Sequence, residues 1–316
     1  MIIDEGAGGA FFPLTRFFSK RYRWAAIYSA LLAIAVALVL LDTFVIPKSF
    51  RIIDSTQYQT DTHTAPENER AEPYPAVQTD DAFDDGNISI VIERTRVNDT
   101  NVFIADIRLS SVTLLKSAFA FDTFGRNINE STSQIAASNN AILAINGDTY
   151  GFRDSGAVLR NGDAYRVNGD GQALMLDFSG NMSFVNESQL TEETLANAWQ
   201  IWSFGPALII DGSLAVNPTS EISGRVSVSN PRTAIGQIEP LHYIFIVSEG
   251  RTDDNLGLSL FELARIFEQR GCTAAYNLDG GGSSTMVFNG ELVNRPTTNG
   301  RRVSEREVSD IVYIGY

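Results

Sequence analysis

Apolar positions in this chain form one long block near the N-terminus and many short ones after it. From Trp24 to Leu41 the run WAAIYSALLAIAVALVLL carries no charge, and Asp42 is followed by the still apolar Thr43-Phe44-Val45-Ile46 before Pro47. About 20 such residues cross a bilayer as a helix, so residues 24–46 are expected to form a transmembrane signal anchor. Arg16, Lys20, Arg21 and Arg23 crowd the N-terminal side of the run. The positive-inside rule then keeps residues 1–23 in the cytoplasm and places the C-terminal domain outside the cell membrane. The run is longer than a typical signal-peptide core and is followed by no convincing small-x-small cleavage site, which favours retention over cleavage.

Residues 47–83 change character: Asp, Glu, Thr, Gln and Pro dominate and no periodicity is visible. That composition predicts a solvated, disordered extracytoplasmic linker. From Asp84 onward, short alternating or apolar runs broken by Gly and Asn continue to the last residue without a second linker, so 84–316 reads as one domain. Strands are expected at 88–97, 102–109, 141–146, 173–178, 207–210, 244–247, 274–278, 286–288 and 311–314. Asn161-Gly162, Ser179-Gly180, Asp211-Gly212 and Asn289-Gly290 are hairpin signals, because these dipeptides accept positive φ.

Helices are fewer. The clearest starts at Ser259, whose hydroxyl and Glu262 three residues on form a capping box; Leu260, Leu263, Ala264, Ile266 and Phe267 make its apolar face and Gly271 its stop. Two more are expected near 131–139 and 191–198. Strands joined sometimes by helices and sometimes by hairpins predict an α+β (mixed α/β) fold, with mixed sheets and a few packed helices.

Charge and composition remove several functions. The net charge is −14 and no Lys/Arg tract follows the first 23 residues, which argues against a nucleic-acid partner. The single cysteine, Cys272, excludes an internal disulfide and a Cys-rich metal site. With only His63 and His242, a zinc site built from several imidazoles is also excluded. A Ser-His-Asp arrangement would have to use His242, which lies in the apolar run Leu241–Val247 and reads as a packed strand residue.

The most informative segment is Asn277-Leu278-Asp279-Gly280-Gly281-Gly282-Ser283-Ser284, at the end of a strand that follows the capped helix. A carboxylate there points out of the sheet, and glycines beside it allow close approach of backbone N–H groups to phosphate oxygens or a developing alkoxide. The bland alternative, a turn whose Asp caps backbone donors, carries equal weight. No Walker lysine and no GxGxxG spacing accompany the glycines. Asn146-Gly147-Asp148 repeats the texture, Pro231-Arg232-Thr233-Ala234-Ile235-Gly236 sets an arginine before a strand, and Glu249-Gly250-Arg251 sets one after a strand. Singly, each arginine reads as a surface group; together they supply guanidiniums and carboxylates for anion binding and proton transfer. Ser304–Asp310 reads first as a solvated strand start, with a reach toward the same site as the second option.

In this order, these segments resemble the phosphodiester glycosidase family over roughly residues 90–316. The resemblance implies hydrolysis of the bond between an anomeric carbon and a phosphate oxygen. It assigns Asp279 and Gly280–Gly282 to the DGGGS motif, Arg232 to the RTAIG motif and Arg251 to a carboxylate-Gly-Arg motif. Asp148 stands where many relatives have glycine, and Glu249 where many have aspartate. The implied substrate-binding set is Arg232, Arg251, Gly280, Gly281, Gly282, Ser283, Thr233 and Asn146. Asp279, Asp148 and Glu249 remain open as base or nucleophile.

The expected partners are a phosphorylated glycan or sugar-1-phosphodiester of the cell envelope, and the membrane through the N-terminal helix. No cofactor is expected; oxygen ligands near Asp279 would admit a divalent cation, but no Asp-x-Asp-x-Asp-Gly loop signals one. Competing readings are a non-catalytic phosphoglycan-binding or assembly factor, and a phosphodiesterase that breaks phosphorus–oxygen bonds.

Overall fold

The computed structural model describes residues 23–49, 76–218 and 228–316. Arg16, Lys20, Arg21, His63 and most of the expected linker lie outside them. The chain divides into two units, residues 1–47 and 48–316. In the first, helix α1 (Arg23–Phe44) is apolar on every side and buries none of its residues. It is long and apolar enough to cross a membrane.

The second unit holds a nine-stranded sheet flanked by two five-stranded sheets. Every strand pair among the described residues is antiparallel, and the helices are few, which places the domain on the α+β side of the expected class. The large sheet runs Ser213–Leu214, Ala207–Ile210, Ala274–Asn277, Arg232–Glu239, His242–Ser248, Thr100–Leu109, Ile88–Val97, Ala82–Asp84 and Val77–Gln78. Its centre is covered on both faces. In His242–Ser248, Tyr243, Phe245 and Val247 join the main core, while Ile244 and Ile246 join a second cluster beneath helix α4 (Leu260–Gln269). A strand buried on both sides reads as a continuous apolar run, as this one does.

The main core knits all three sheets: Ile90 and Phe245 of the large one, Ile145 and Val312 of the second, Leu174 and Trp202 of the third. Helix α2 (Thr132–Ser138) seals the outer face of the second sheet through Ile135 and Ala136. Helix α3 (Glu192–Asn197) contributes Leu195 to the third.

Two features differ from the sequence expectation. The sheet begins at Val77, not after residue 83, because Phe83 packs on the main core and its neighbours pair with Ile88–Val97. At the other end of the expected linker, Lys48–Ser49 pairs with Gly125–Arg126. Gly236, the last residue of the RTAIG segment, lies under α4; a Cβ there would stand 2.7 Å from the Phe267 ring.

Candidate functional site

Register sets the site at one end of two sheets. Arg232, at the start of its strand, pairs with Ser248 at the end of the next, and Ala234 pairs with Asn277. In the second sheet Asn146 ends its strand opposite Ile311, just after Asp310. One buried side chain links the two sheets. Asn146 Oδ1 accepts from Thr233 Oγ1 at 2.7 Å and from the Thr285 amide at 3.2 Å, while its Nδ2 donates to the Asp279 carbonyl at 2.7 Å. Stretches 87 to 139 residues from Asn146 in sequence are thereby fixed to one point.

Past Asn277 the chain leaves the sheet and folds the three glycines into a tight loop. A Cβ on Gly280 would meet the Pro231 carbonyl at 2.8 Å, one on Gly281 the Arg251 Nη2 at 2.6 Å, and one on Gly282 the Thr298 hydroxyl at 2.5 Å. Gly281 also has φ of +66°, a region that favours glycine. The loop does not present all its amides outward as the sequence reading held. The Gly280 N–H donates to Asp279 Oδ1 and the Gly281 N–H to the Pro231 carbonyl. The charged donors around the loop are guanidiniums.

Three of these surround the loop. Arg251 reaches over Gly281 and donates to Asn230 Oδ1 and, at 2.7 Å, to the Thr298 carbonyl. Its own φ is +64°. Arg232 is buried; Nε donates to the Leu258 carbonyl and Nη2 to the Val228 carbonyl. Burial, with Arg251 close by, pulls its pKa down to about 10. The third, Arg306, belongs to the segment whose reach toward the site was the second option in the sequence. Arg306 donates from Nη2 to Asp279 Oδ2 at 2.8 Å and from Nε to Ser283 Oγ at 2.8 Å, so the Ser304–Asp310 segment is part of the site rather than a solvated strand start. The only sequence signal was its approach to the last strand. Burial lowers the Arg251 pKa first, and the nearby Arg306 charge lowers it further.

Asp279, Ser283 and Arg306 line a cavity of about 380 Å³ together with Asp148, Thr149 and Phe152. Of the sequence-assigned carboxylates, Asp279 stands beside guanidiniums at this open cavity. Asp148 is buried, with Oδ2 accepting from Arg160 Nη2 at 2.9 Å and from the Ser203 amide, and Oδ1 from the Tyr150 amide. Arg160, which sequence reasoning passed over, also holds Asp310. Glu249 is turned away, its carboxylate accepting from Asn101 Nδ2 and the Arg295 amide at the edge of a separate cavity. His242 sits at the far end of the strand from Ser248 and meets Asp106 at 2.9 Å, which removes it from the site. Cys272 is buried, with its thiol pushed up to about 12 by desolvation. Among the described residues, no group of three His, Cys, Asp or Glu is placed to hold a metal ion.

Residues 139–315 match the sequence profile of the phosphodiester glycosidases. The Mus musculus N-acetylglucosamine-1-phosphodiester alpha-N-acetylglucosaminidase is 39% identical over 79 residues, covering 25% of this chain and 15% of that protein. An uncharacterized prophage-derived protein of Bacillus subtilis, YomE, is 26% identical over 205 residues, 61% of this chain and 31% of its own. The chain thus spans a third or less of the length of these relatives. In fold it is similar to the zebrafish N-acetylglucosamine-1-phosphodiester alpha-N-acetylglucosaminidase catalytic domain, whose structure is described as auto-inhibited by its pro-peptide. The TM-score is 0.58 at 21% identity, over 73% of this chain and 83% of that one. A hypothetical protein from Synechocystis gives 0.56 at 15% identity, over 72% and 62%. The chain belongs to the phosphodiester glycosidase family.

Proposed function

We propose that this protein hydrolyses the glycosidic bond of a sugar-1-phosphodiester, with N-acetylglucosamine as the first candidate sugar from the relatives' activity. One observation carries the reading: the Asp279 carboxylate lies at an open cavity beside Arg306, with Arg251 and Arg232 next to the same loop. The phosphate leaving group is already a stable anion, so neutralising its charge counts for more than protonating it. Arg306 supplies that neutralisation from the cavity side, Arg251 from over the glycine loop, and buried Arg232 adds positive potential behind them. Asp279 acts at the anomeric carbon as nucleophile or as base toward water. Asp148, with both oxygens engaged, shapes the cavity wall, and Glu249 orders the Arg251 loop from behind. A divalent cation takes no part in this scheme, so a chelator leaves the rate unchanged.

Helix α1 supports the setting: an anchor that holds the domain at the outer face of the cell membrane, where the substrate is an envelope glycan. The runner-up is a non-catalytic phosphoglycan-binding factor, which the capture of Asp148 by Arg160 favours. Incubating wild type and Asp279→Asn with UDP-N-acetylglucosamine and with a glycosyl phosphodiester separates them. The enzyme reading expects free sugar from wild type and a large loss in the variant. Equal rates remove Asp279 from the chemistry, and binding without turnover selects the runner-up.

A further inference from the structure

Within the domain, almost every described guanidinium has a partner. Arg94, Arg96, Arg108, Arg126, Arg160, Arg265, Arg270 and Arg306 pair with carboxylates. Arg153 lies over the Phe204 ring, Arg166 donates to carbonyls, and Arg232 and Arg251 were described above. Among the described residues of the domain, only the guanidiniums of Arg295, Arg301 and Arg302 have no ion pair, side-chain hydrogen bond or ring partner. All three are exposed and line one cavity of about 190 Å³, with Thr252, Thr297 and Asp254.

This cavity adjoins the site. Its loop is fixed to Arg251, which donates to the Thr298 carbonyl, and a Cβ on Gly300 would stand 1.9 Å from the Arg251 carbonyl oxygen. Its floor is Glu249, the residue two before Arg251, whose oxygens are both occupied by N–H donors. Asp254 is the other carboxylate on the wall. Three guanidiniums against two carboxylates, beside the positive Arg251, make a local excess of positive charge on a chain whose net charge is −14. Unpaired guanidiniums one loop away from a phosphate-binding arginine suit a second phosphate of the same ligand.

We propose that this cavity is a second anion subsite for a neighbouring phosphate of a polymeric glycosyl phosphodiester. The preferred substrate would then be a polyanionic glycan carrying several phosphodiesters rather than a single sugar nucleotide. This rests on the function proposed above. Two phosphates on one chain bind with a gain in effective concentration that a single phosphodiester lacks.

The test compares two probes, UDP-N-acetylglucosamine and a synthetic oligomer of N-acetylglucosamine 1-phosphate units with several phosphodiesters. Calorimetric affinities are measured in the Asp279→Asn background, with and without the triple substitution Arg295→Gln, Arg301→Gln and Arg302→Gln; turnover is measured with Asp279 intact. These arginines are exposed, so folding survives, and thermal melts verify it. The expected result is that the triple variant weakens oligomer binding by about tenfold or more and changes UDP-N-acetylglucosamine binding by less than about twofold, with the oligomer effect fading near 0.5 M salt. Unchanged oligomer affinity in the triple variant overturns the subsite, whether or not wild type hydrolyses either probe. Charge-dependent oligomer binding without hydrolysis supports the subsite and overturns the hydrolytic reading instead.

Discussion

Two residue-level arrangements carry the chemistry and its cost. At the cavity, Asp279 is paired with an exposed arginine, and exposed pairs contribute little to stability. Asp279→Asn should therefore leave the melting temperature nearly unchanged while lowering kcat by about 10²–10⁴, as steady-state kinetics would show. Beneath it, Arg160 serves two carboxylates at once, with Nη2 at 2.9 Å from Asp148 and 2.9 Å from Asp310, all three side chains buried. Removing the shared cation strands both acids, so Arg160→Ala should cost about 3–5 kcal/mol in a denaturant titration.

Asp310 also makes a pH prediction. Burial, reinforced by the nearby Asp148 and opposed by Arg160, holds its carboxyl well above the ordinary range. A raised folded-state pKa means that the native state keeps a proton the unfolded chain has released. Its contribution to stability is thus fullest below the ordinary carboxylate pKa and is lost as pH rises through the folded value. Asp310→Asn lacks this loss, so its stability relative to wild type should improve from pH about 4 toward neutrality. A difference that stays constant across that range would contradict the assignment.

Among elements, the strand ends and their connectors separate stability from function. Asn146 is buried and ties Thr233, Thr285 and Asp279 together. Asn146→Ala would leave buried polar partners unsatisfied at about 1–3 kcal/mol each, and should lower both stability and kcat/KM. Ser259→Ala, which breaks the α4 capping box, should cost about 1 kcal/mol and leave kinetics alone.

The same elements show what the sequence made legible. The Ser259–Glu262 cap, the strands at Ile88–Val97, Ala207–Ile210 and Met286–Phe288, and the turns at Asn161-Gly162, Asp211-Gly212 and Asn289-Gly290 are local signals, and they appear where local chemistry places them. Leu115–Phe119 and Ala198–Trp202 were not foreseen, because Lys116 and Gln200 interrupt otherwise apolar runs whose strand character comes from pairing partners distant in sequence. In the site, Asp279 and its glycines were visible as a motif, as were Arg232 and Arg251. Arg306 was visible only as part of a segment whose reach to the site was the second option, and Arg160 not at all, since nothing local distinguishes an arginine aimed at a carboxylate 27 or 150 residues away from one aimed at water. The reverse error applies to Gly280 and Gly281, whose amides the loop itself consumes.

On the scale of the whole molecule, an acidic chain brings Arg232, Arg251 and Arg306 together at one end of two sheets. Burial and then Arg251 lower the Arg232 pKa, burial and then Arg306 lower that of Arg251, and an anion bound among them would relieve the repulsion. Inorganic phosphate should therefore raise the melting temperature where chloride of equal ionic strength does not, with a stabilisation of about 2.7 kcal/mol at a hundredfold excess over Kd. Arg251→Ala should abolish most of the gain, as scanning calorimetry would reveal.

In the proposed hydrolysis the bond broken joins the anomeric carbon to oxygen, with phosphate departing intact. Hydrolysis of the glycosyl phosphodiester in oxygen-18 water, followed by mass spectrometry of both products, tests it most directly. Label in the released sugar and none in the phosphate is the result this account predicts; label in the phosphate would contradict it.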